Sequence, residues 1–100
     1  MSYERHIQED RRLVILRLLA EARSYDMNSA VLQTALADFG HHPSRDQLHT
    51  ELAWLVEQGL VHNREMASVL VTRITPRGID VAMGRAQVPG VKRPGPVVLD

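Results

Sequence analysis

The sequence predicts a mainly α-helical domain with one small β-hairpin, and three observations carry that prediction. Residues 44–59 form a capped amphipathic segment that ends on a glycine. Two runs rich in β-branched residues, 61–64 and 69–74, flank the short stretch Glu65-Met66-Ala67-Ser68. Thr75-Pro76 then restarts a helix, a hydroxyl cap followed by a proline whose missing N–H costs nothing there. Helix, hairpin and helix, after two earlier helical segments, is the order of a winged helix-turn-helix. It comprises a three-helix core, a wing and a short C-terminal helix.

The first helix is expected from residue 3 or 4 to residue 22 or 23. Ile7, Ile15, Leu16, Leu19 and Ala22 recur at helical spacing, with Arg11, Arg12 and Arg17 on the wetter side. Leu13, Val14 and Leu18 widen the apolar surface, which implies burial on more than one side. The second helix begins within residues 26–29, a cluster of good N-cap types. Leu32, Ala35, Leu36 and Phe39 form its apolar stripe, and Gly40 supplies a left-handed stop. The connector Gly-His-His-Pro-Ser is longer than the tightest helix-turn-helix turn.

The third helix has the clearest local signals. Ser44 is placed as N-cap and Gln47 as the returning partner of a capping box. Leu48, Leu52, Leu55 and Val56 share a face, Gly59 ends the helix, and Leu60 is placed to pack back on Leu55. The last helix carries Ile79, Val81, Ala82 and Met83 and stops near Gly84. Residues 87–100 hold three Pro and two Gly among fourteen. They read as an extended tail that could reach about 40 Å at ~3.1 Å per residue. The domain is thus expected over 1–86 and the tail over 87–100, with no internal repeat.

One hundred residues at 44% hydrophobic content suit one compact domain. There is no cysteine, which excludes disulfides and cysteine-based zinc sites. The first twelve residues are charged without an apolar core, so no signal peptide is expected, and no run is long enough to span a bilayer. A cytoplasmic protein without a membrane partner follows as the expectation. The formal charge is zero but unevenly spread. Residues 1–60 hold six Arg against nine Asp and Glu, a net of −3, whereas residues 61–100 hold six Lys and Arg against three Asp and Glu, a net of +3. The C-terminal part therefore suits an anionic partner.

In a helix-turn-helix the second helix of the pair enters the major groove of duplex DNA, N-terminal end first. A 100° step per residue, with Leu48, Leu52 and Leu55 facing the core, turns Asp46, Gln47, Thr50, Ala53, Trp54 and Glu57 outward. Arg45 and His49 fall on the flank. Arg45 suits a guanine edge or a phosphate, Gln47 an adenine, and Thr50 either role. Arg64 and Arg73 on the wing and Arg77 at the start of the last helix suit phosphates or the minor groove. Lys92 and Arg93 add sequence-independent contacts from the tail. Against this, Asp46 and Glu57 repel phosphate. Trp54 is large for a groove-reading face, and packing on the first helix, the tail or a second subunit is its alternative. The wing arginines also suit plain solvated charge guarding a sheet edge.

Five histidines raise the question of a metal, with Asp38, His41, His42 and His49 the nearest group. His41 and His42 are adjacent in a loop, and no ligand pair stands at i, i+4 on a predicted helix, so no metal or other cofactor is expected. His42, beside Pro43, reads as a surface turn residue. There is no cysteine nucleophile, no glycine-rich phosphate loop and no Gly-x-Ser-x-Gly elbow, so no catalytic residues and no small-molecule substrate are expected.

Three segments carry a resemblance: SRDQLHTELAWLVEQGLV at 44–61, VLVTRITPRGIDVAMGR at 69–85 and VPGVKRP at 88–94. With these the chain resembles small winged-helix proteins of Mu-like phages and prophages, often labelled ArsR-type regulators. The resemblance spans nearly the whole length and implies a winged helix-turn-helix and transcriptional regulation. The metal-sensing half of the label does not carry over, since sensors of that type commonly use cysteine ligands. The expected function is a non-enzymatic, dimeric DNA-binding regulator, dimerising through the first helix, the tail or both. The alternative is a protein-interaction or assembly module of a phage or phage–host complex, the tail valines and Leu99 anchoring on a neighbouring chain.

Overall fold

Residues 2–95 are described by the computed structural model. Helix α1 (Tyr3–Glu21) opens on Ser2, whose hydroxyl accepts from the Arg5 N–H. Tyr25, at φ 62°, turns the chain into strand β1 (Asp26–Asn28). Asn28 then caps helix α2 (Ser29–Ala37), its side-chain oxygen accepting from Val31 N–H at 2.8 Å. Helix α3 (Arg45–Glu57) carries the full capping box: Gln47 N–H donates to Ser44 Oγ, and Ser44 N–H donates to Gln47 Oε1. Strands β2 (Val61–Met66) and β3 (Val69–Ile74) form the wing, and helix α4 (Pro76–Ala82) follows Thr75. The winged helix-turn-helix expected from the sequence is the observed architecture.

The C-terminus of α3 shows why its glycine is required. Leu60 N–H donates to Leu55 C=O and Gly59 N–H to Val56 C=O, the paired bonds of a Schellman motif. Gly59 sits at φ 74°, where a side chain is strained. Thr75 then ties the two helices together. Its hydroxyl donates to Gly59 C=O at 2.8 Å and accepts from Gly78 N–H at 3.0 Å.

The sheet is antiparallel in the order β1-β3-β2. Its turn is two residues long, with Met66 opposite Val69 and both Ala67 and Ser68 at positive φ, the geometry of a type I′ turn. Strand alternation sends Val61, Thr72 and Ile74 into the core, while His62, Arg64 and Arg73 point outward. The core itself gathers Leu16 and Leu19 of α1, Leu32 and Leu36 of α2, and Leu48, Leu52 and Leu55 of α3. Each such leucine contributes roughly 1.5–3 kcal/mol by leaving water.

Several expectations need correction. The cluster 26–29 is a strand as well as a cap: three residues are too few for a periodicity signal, and β1 forms because β3 offers it a pairing edge. Phe39 is 58% exposed, because α2 stops at Ala37 and the i+7 position no longer lies on the helix stripe. Val56 and Met83 are also exposed, at the edge of α3 and at the C-cap of α4. Arg12 is buried rather than wet.

The largest correction concerns the expected tail. Val88 and Val91 belong to the hydrophobic core, and Lys92 N–H donates to Glu9 C=O. Residues 87–92 therefore form a strap across α1 and α3. Arg12 lies beneath it, donating to Gly90 C=O and to Glu51, with its guanidinium 3.8 Å above the Trp54 ring. Gly90 is at φ 99°, and a Cβ there would come within 2.8 Å of the indole. The close approach needs that glycine. The remainder of the expected tail, with Leu99, lies outside the described residues.

Candidate nucleic-acid interface

Arg45 is the first residue of α3, and its exposed side chain borders a groove of about 290 Å³. The tip of the wing, Ser68, Val69 and Leu70, lines the same groove, as do Ser29 and Gln33 of α2. The N-terminal end of the third helix and the wing tip thus meet at one edge of the molecule. Because the N-terminal amides of a helix carry partial positive charge, this edge suits an anion beyond the charge of Arg45 itself.

The remaining residues proposed on the third helix are less available. Gln47 is held by the capping box, so turning its side chain toward a base would give up the bond from Ser44 N–H, leaving Ser44 Oγ alone as the cap. His49 is half-buried and its Nε2 lies 3.3 Å from Ser29 Oγ, a link between α3 and α2. Thr50 is exposed, its hydroxyl donating back to Asp46 C=O. Trp54 is only partly exposed, covered by Arg12. Besides Gln47, the exposed outward strip consists of Asp46, Thr50, Ala53 and Glu57, which holds two carboxylates and no cation.

Arg64 and Arg73 share the outer face of the sheet, since His62 pairs with Arg73 and Arg64 lies two residues further along β2. Their side chains are 64% and 57% exposed. Asp26, paired with Arg73 across β1 and β3, stands between them, its Oδ2 3.8 Å from Arg64 and 3.9 Å from Arg73. Arg73 also donates to Ser24 C=O at 2.9 Å. At such exposure and distance these pairs hold little energy and release readily. Arg77 is exposed beside Gly59, at the far end of α3 from Arg45. With α3 thirteen residues long, about 20 Å separates those two ends.

Lys92 lies on the strap and donates to Asp10 Oδ1 at 3.3 Å, while Arg93 beside it is exposed. Asp10 also accepts from His41 Nε2 at 2.8 Å. Burial pushes the Asp10 carboxyl up, but the hydrogen bonds from His41 and Lys92 and the charge of both outweigh it, so its pKa lies below the ordinary value. The structure therefore brings Arg45 to the wing tip, groups Arg64 with Arg73, and leaves Arg77 and the strap cations elsewhere.

Two carboxylates that hold arginines here had no such role in the sequence reading. Asp26 read only as part of a cap cluster, because its pairs with Arg64 and Arg73 depend on β1. Glu51 is 3% exposed and pairs with Arg12 at 3.0 Å and Arg11 at 3.5 Å. Its position between Leu48 and Leu55 on the core stripe was the available clue. Among the described residues no group of three or more His, Asp or Glu is arranged to hold a metal, and no helix is long and apolar enough to cross a membrane.

No family model matches the chain. It is 47% identical over 90 residues to the protein gp26 of Escherichia phage Mu, covering 90% of this chain and 93% of that one. The chain belongs to the gp26 family of phage Mu. An uncharacterized protein of Haemophilus influenzae is 44% identical over 78 residues, covering 77% of this chain and 76% of its own length. The fold of this gp26 relative is similar to that of hsRosR-S1, solved as a complex, with a TM-score of 0.64 at 23% identity. That match covers 72% of this chain and 63% of hsRosR-S1, a little under two thirds of it. The likeness supports the winged helix-turn-helix architecture.

Proposed function

We propose that this protein binds duplex DNA as a non-enzymatic transcriptional regulator of the phage type, leading with the wing. The observation that carries the reading is the shared edge formed by Arg45, at the N-terminus of α3, and the wing tip at Ser68–Leu70. Arg64 and Arg73 extend that contact along the outer sheet face. Phosphate contacts dominate it, with base reading confined to Arg45 and Thr50, because the outward strip of α3 presents Asp46 and Glu57. A cytoplasmic homodimer meeting two half-sites completes the proposal, in keeping with the winged helix-turn-helix fold. It requires no metal, cofactor or small-molecule substrate.

The test is titration into labelled duplex from the surrounding genome at about 50 and 200 mM salt. Binding that weakens steeply with salt supports the reading. No binding at the lower salt, or binding indifferent to salt, rejects it.

A second reading has its own observation. The acidic strip on α3 and the placement of Asp26 between the wing arginines suit a basic protein surface at least as well as phosphate. The protein is then an assembly or interaction module. One stoichiometric protein partner, recovered after nuclease treatment and retained when Arg64, Arg73 and Arg77 are reversed in charge, selects this reading.

A further inference from the structure

The wing ends in an apolar pair. Met66 and Val69 face each other across the hairpin and are 52% and 40% exposed. Among the described residues neither packs on the core, whereas Leu70, one position further along β3, does. Strand alternation puts the pair on the same sheet face as Arg64 and Arg73, with Glu65 and Leu70 on the opposite face. Only Ala67 and Ser68 lie beyond it, so Met66 is the longest side chain of the tip.

We infer that Met66, backed by Val69, is a wedge that enters the minor groove of duplex DNA and kinks it at a base step. The inference rests on the DNA-binding reading and specifies how the wing meets that partner. Charge selects the partner for the apolar tip. Arg64 stands two residues, about 7 Å, behind Met66, and Arg73 four residues, about 14 Å, behind Val69. Asp26 sits level with Arg73, so it leaves the outer face of the tip without a carboxylate. An apolar point with exposed guanidiniums behind it on one face matches a stacked base step flanked by two phosphate backbones. Size then requires a kink. The strand axes lie about 4.8 Å apart, and with the atoms on either side the ribbon is wider than a B-form minor groove of about 6 Å. Entry needs a widened groove, and an unstacked step provides one. Methionine suits the task, since its unbranched side chain adapts to an irregular gap.

The experiment titrates the full chain into a duplex of about 30 base pairs at about 50 mM salt, with a donor and an acceptor dye at its two ends. Energy transfer reads the bend and anisotropy reads the binding. The native chain is expected to bend the bound duplex by about 20–90°. The pair also steadies the hairpin as a cross-strand contact, so the variant keeps β-propensity. Met66→Thr with Val69→Thr should bind with the same salt slope and leave the duplex straight. A second measurement needs no variant. A duplex of repeated TA steps, which unstack readily, should bind the native chain about tenfold more tightly than a stiff A-tract of the same composition. A bound but straight duplex, equal bending by the double variant, or no preference for the TA steps overturns the wedge while DNA binding stands. Absence of any binding at that salt overturns both.

Discussion

Glu51→Gln is the substitution that most directly tests how the strap, α1 and α3 are joined. The Glu51 and Arg12 side chains are only 4% and 10% exposed, and they meet at 3.0 Å. Removing the negative partner leaves the Arg12 guanidinium buried without its counter-charge, a change that typically costs 3–5 kcal/mol. Arg12 keeps its bond to Gly90 C=O and its place over the Trp54 ring, and glutamine keeps one acceptor, so the lower end applies. A loss of about 3 kcal/mol is a large share of a total of roughly 5–15. For a domain of this size it lowers Tm by about 12–24 °C.

Thermal and urea unfolding followed by circular dichroism measures the loss. A companion variant separates charge from shape. Arg12→Met with Glu51→Leu removes the buried pair and fills similar volume, leaving only Arg11, whose side chain is 18% exposed, to turn to solvent, and should recover most of the stability. A cost below about 1 kcal/mol for Glu51→Gln would show that water reaches the pair and that the buried description is wrong. A double variant no better than the single one would refute the charge argument in the same way.

Other expectations follow from the same geometry. Ala67→Asn with Ser68→Gly places preferred residues at the two positive-φ positions of the wing turn and should raise stability by about 1 kcal/mol, read as an increase in Tm. Asp10 has a folded-state pKa below its unfolded value, so its contribution is present above the unfolded pKa and is lost as pH falls through the folded one. Asp10→Asn should therefore flatten the acid limb of a stability–pH curve below about pH 4 and lower the plateau above it. Arg64→Ala and Arg73→Ala should each reduce the slope of log K against log salt by about 1, without changing sequence preference. Asp26→Asn, which removes the carboxylate between those arginines, should tighten DNA binding in the same titration. Unchanged affinity would place the contact elsewhere.

The fold was legible because its signals are local. Ser44 with Gln47, Gly59 with Leu60, and Thr75 with Pro76 each mark an element boundary by chemistry that operates within a few residues, and all three operate as expected. What was illegible depends on partners distant in sequence. Arg12 read as wet and residues 87–100 as an extended tail, while Trp54, turned outward by helical phase, had packing on the first helix or the tail as its alternative, and there it lies. The misplacement of Arg12 and of the strap shares one cause, since each residue type has its ordinary preference only in the absence of the others. Arg12 is buried because Glu51 and Gly90 stand 39 and 78 residues away from it, and no periodicity of α1 reports such neighbours.

The same distinction decides how much weight the candidate site can bear. Helical phase correctly turned Asp46, Thr50, Ala53 and Glu57 outward, but Gln47 and His49 are committed within the fold. The Gln47 side chain accepts the return bond of the capping box from Ser44 N–H, and His49 links to Ser29. A helix that spends its polar side chains on its own architecture and presents carboxylates outward is a poor reader of sequence, whatever groove it lies beside. Positive charge sits instead where the fold leaves side chains exposed, at Arg45 and on the wing. On the DNA-binding reading, affinity then comes mainly from phosphate contacts, and discrimination among sequences comes from Arg45 and Thr50, from groove shape and from pairing two copies on spaced half-sites. A steep salt dependence with modest sequence preference for the single domain is the signature that follows from this charge distribution.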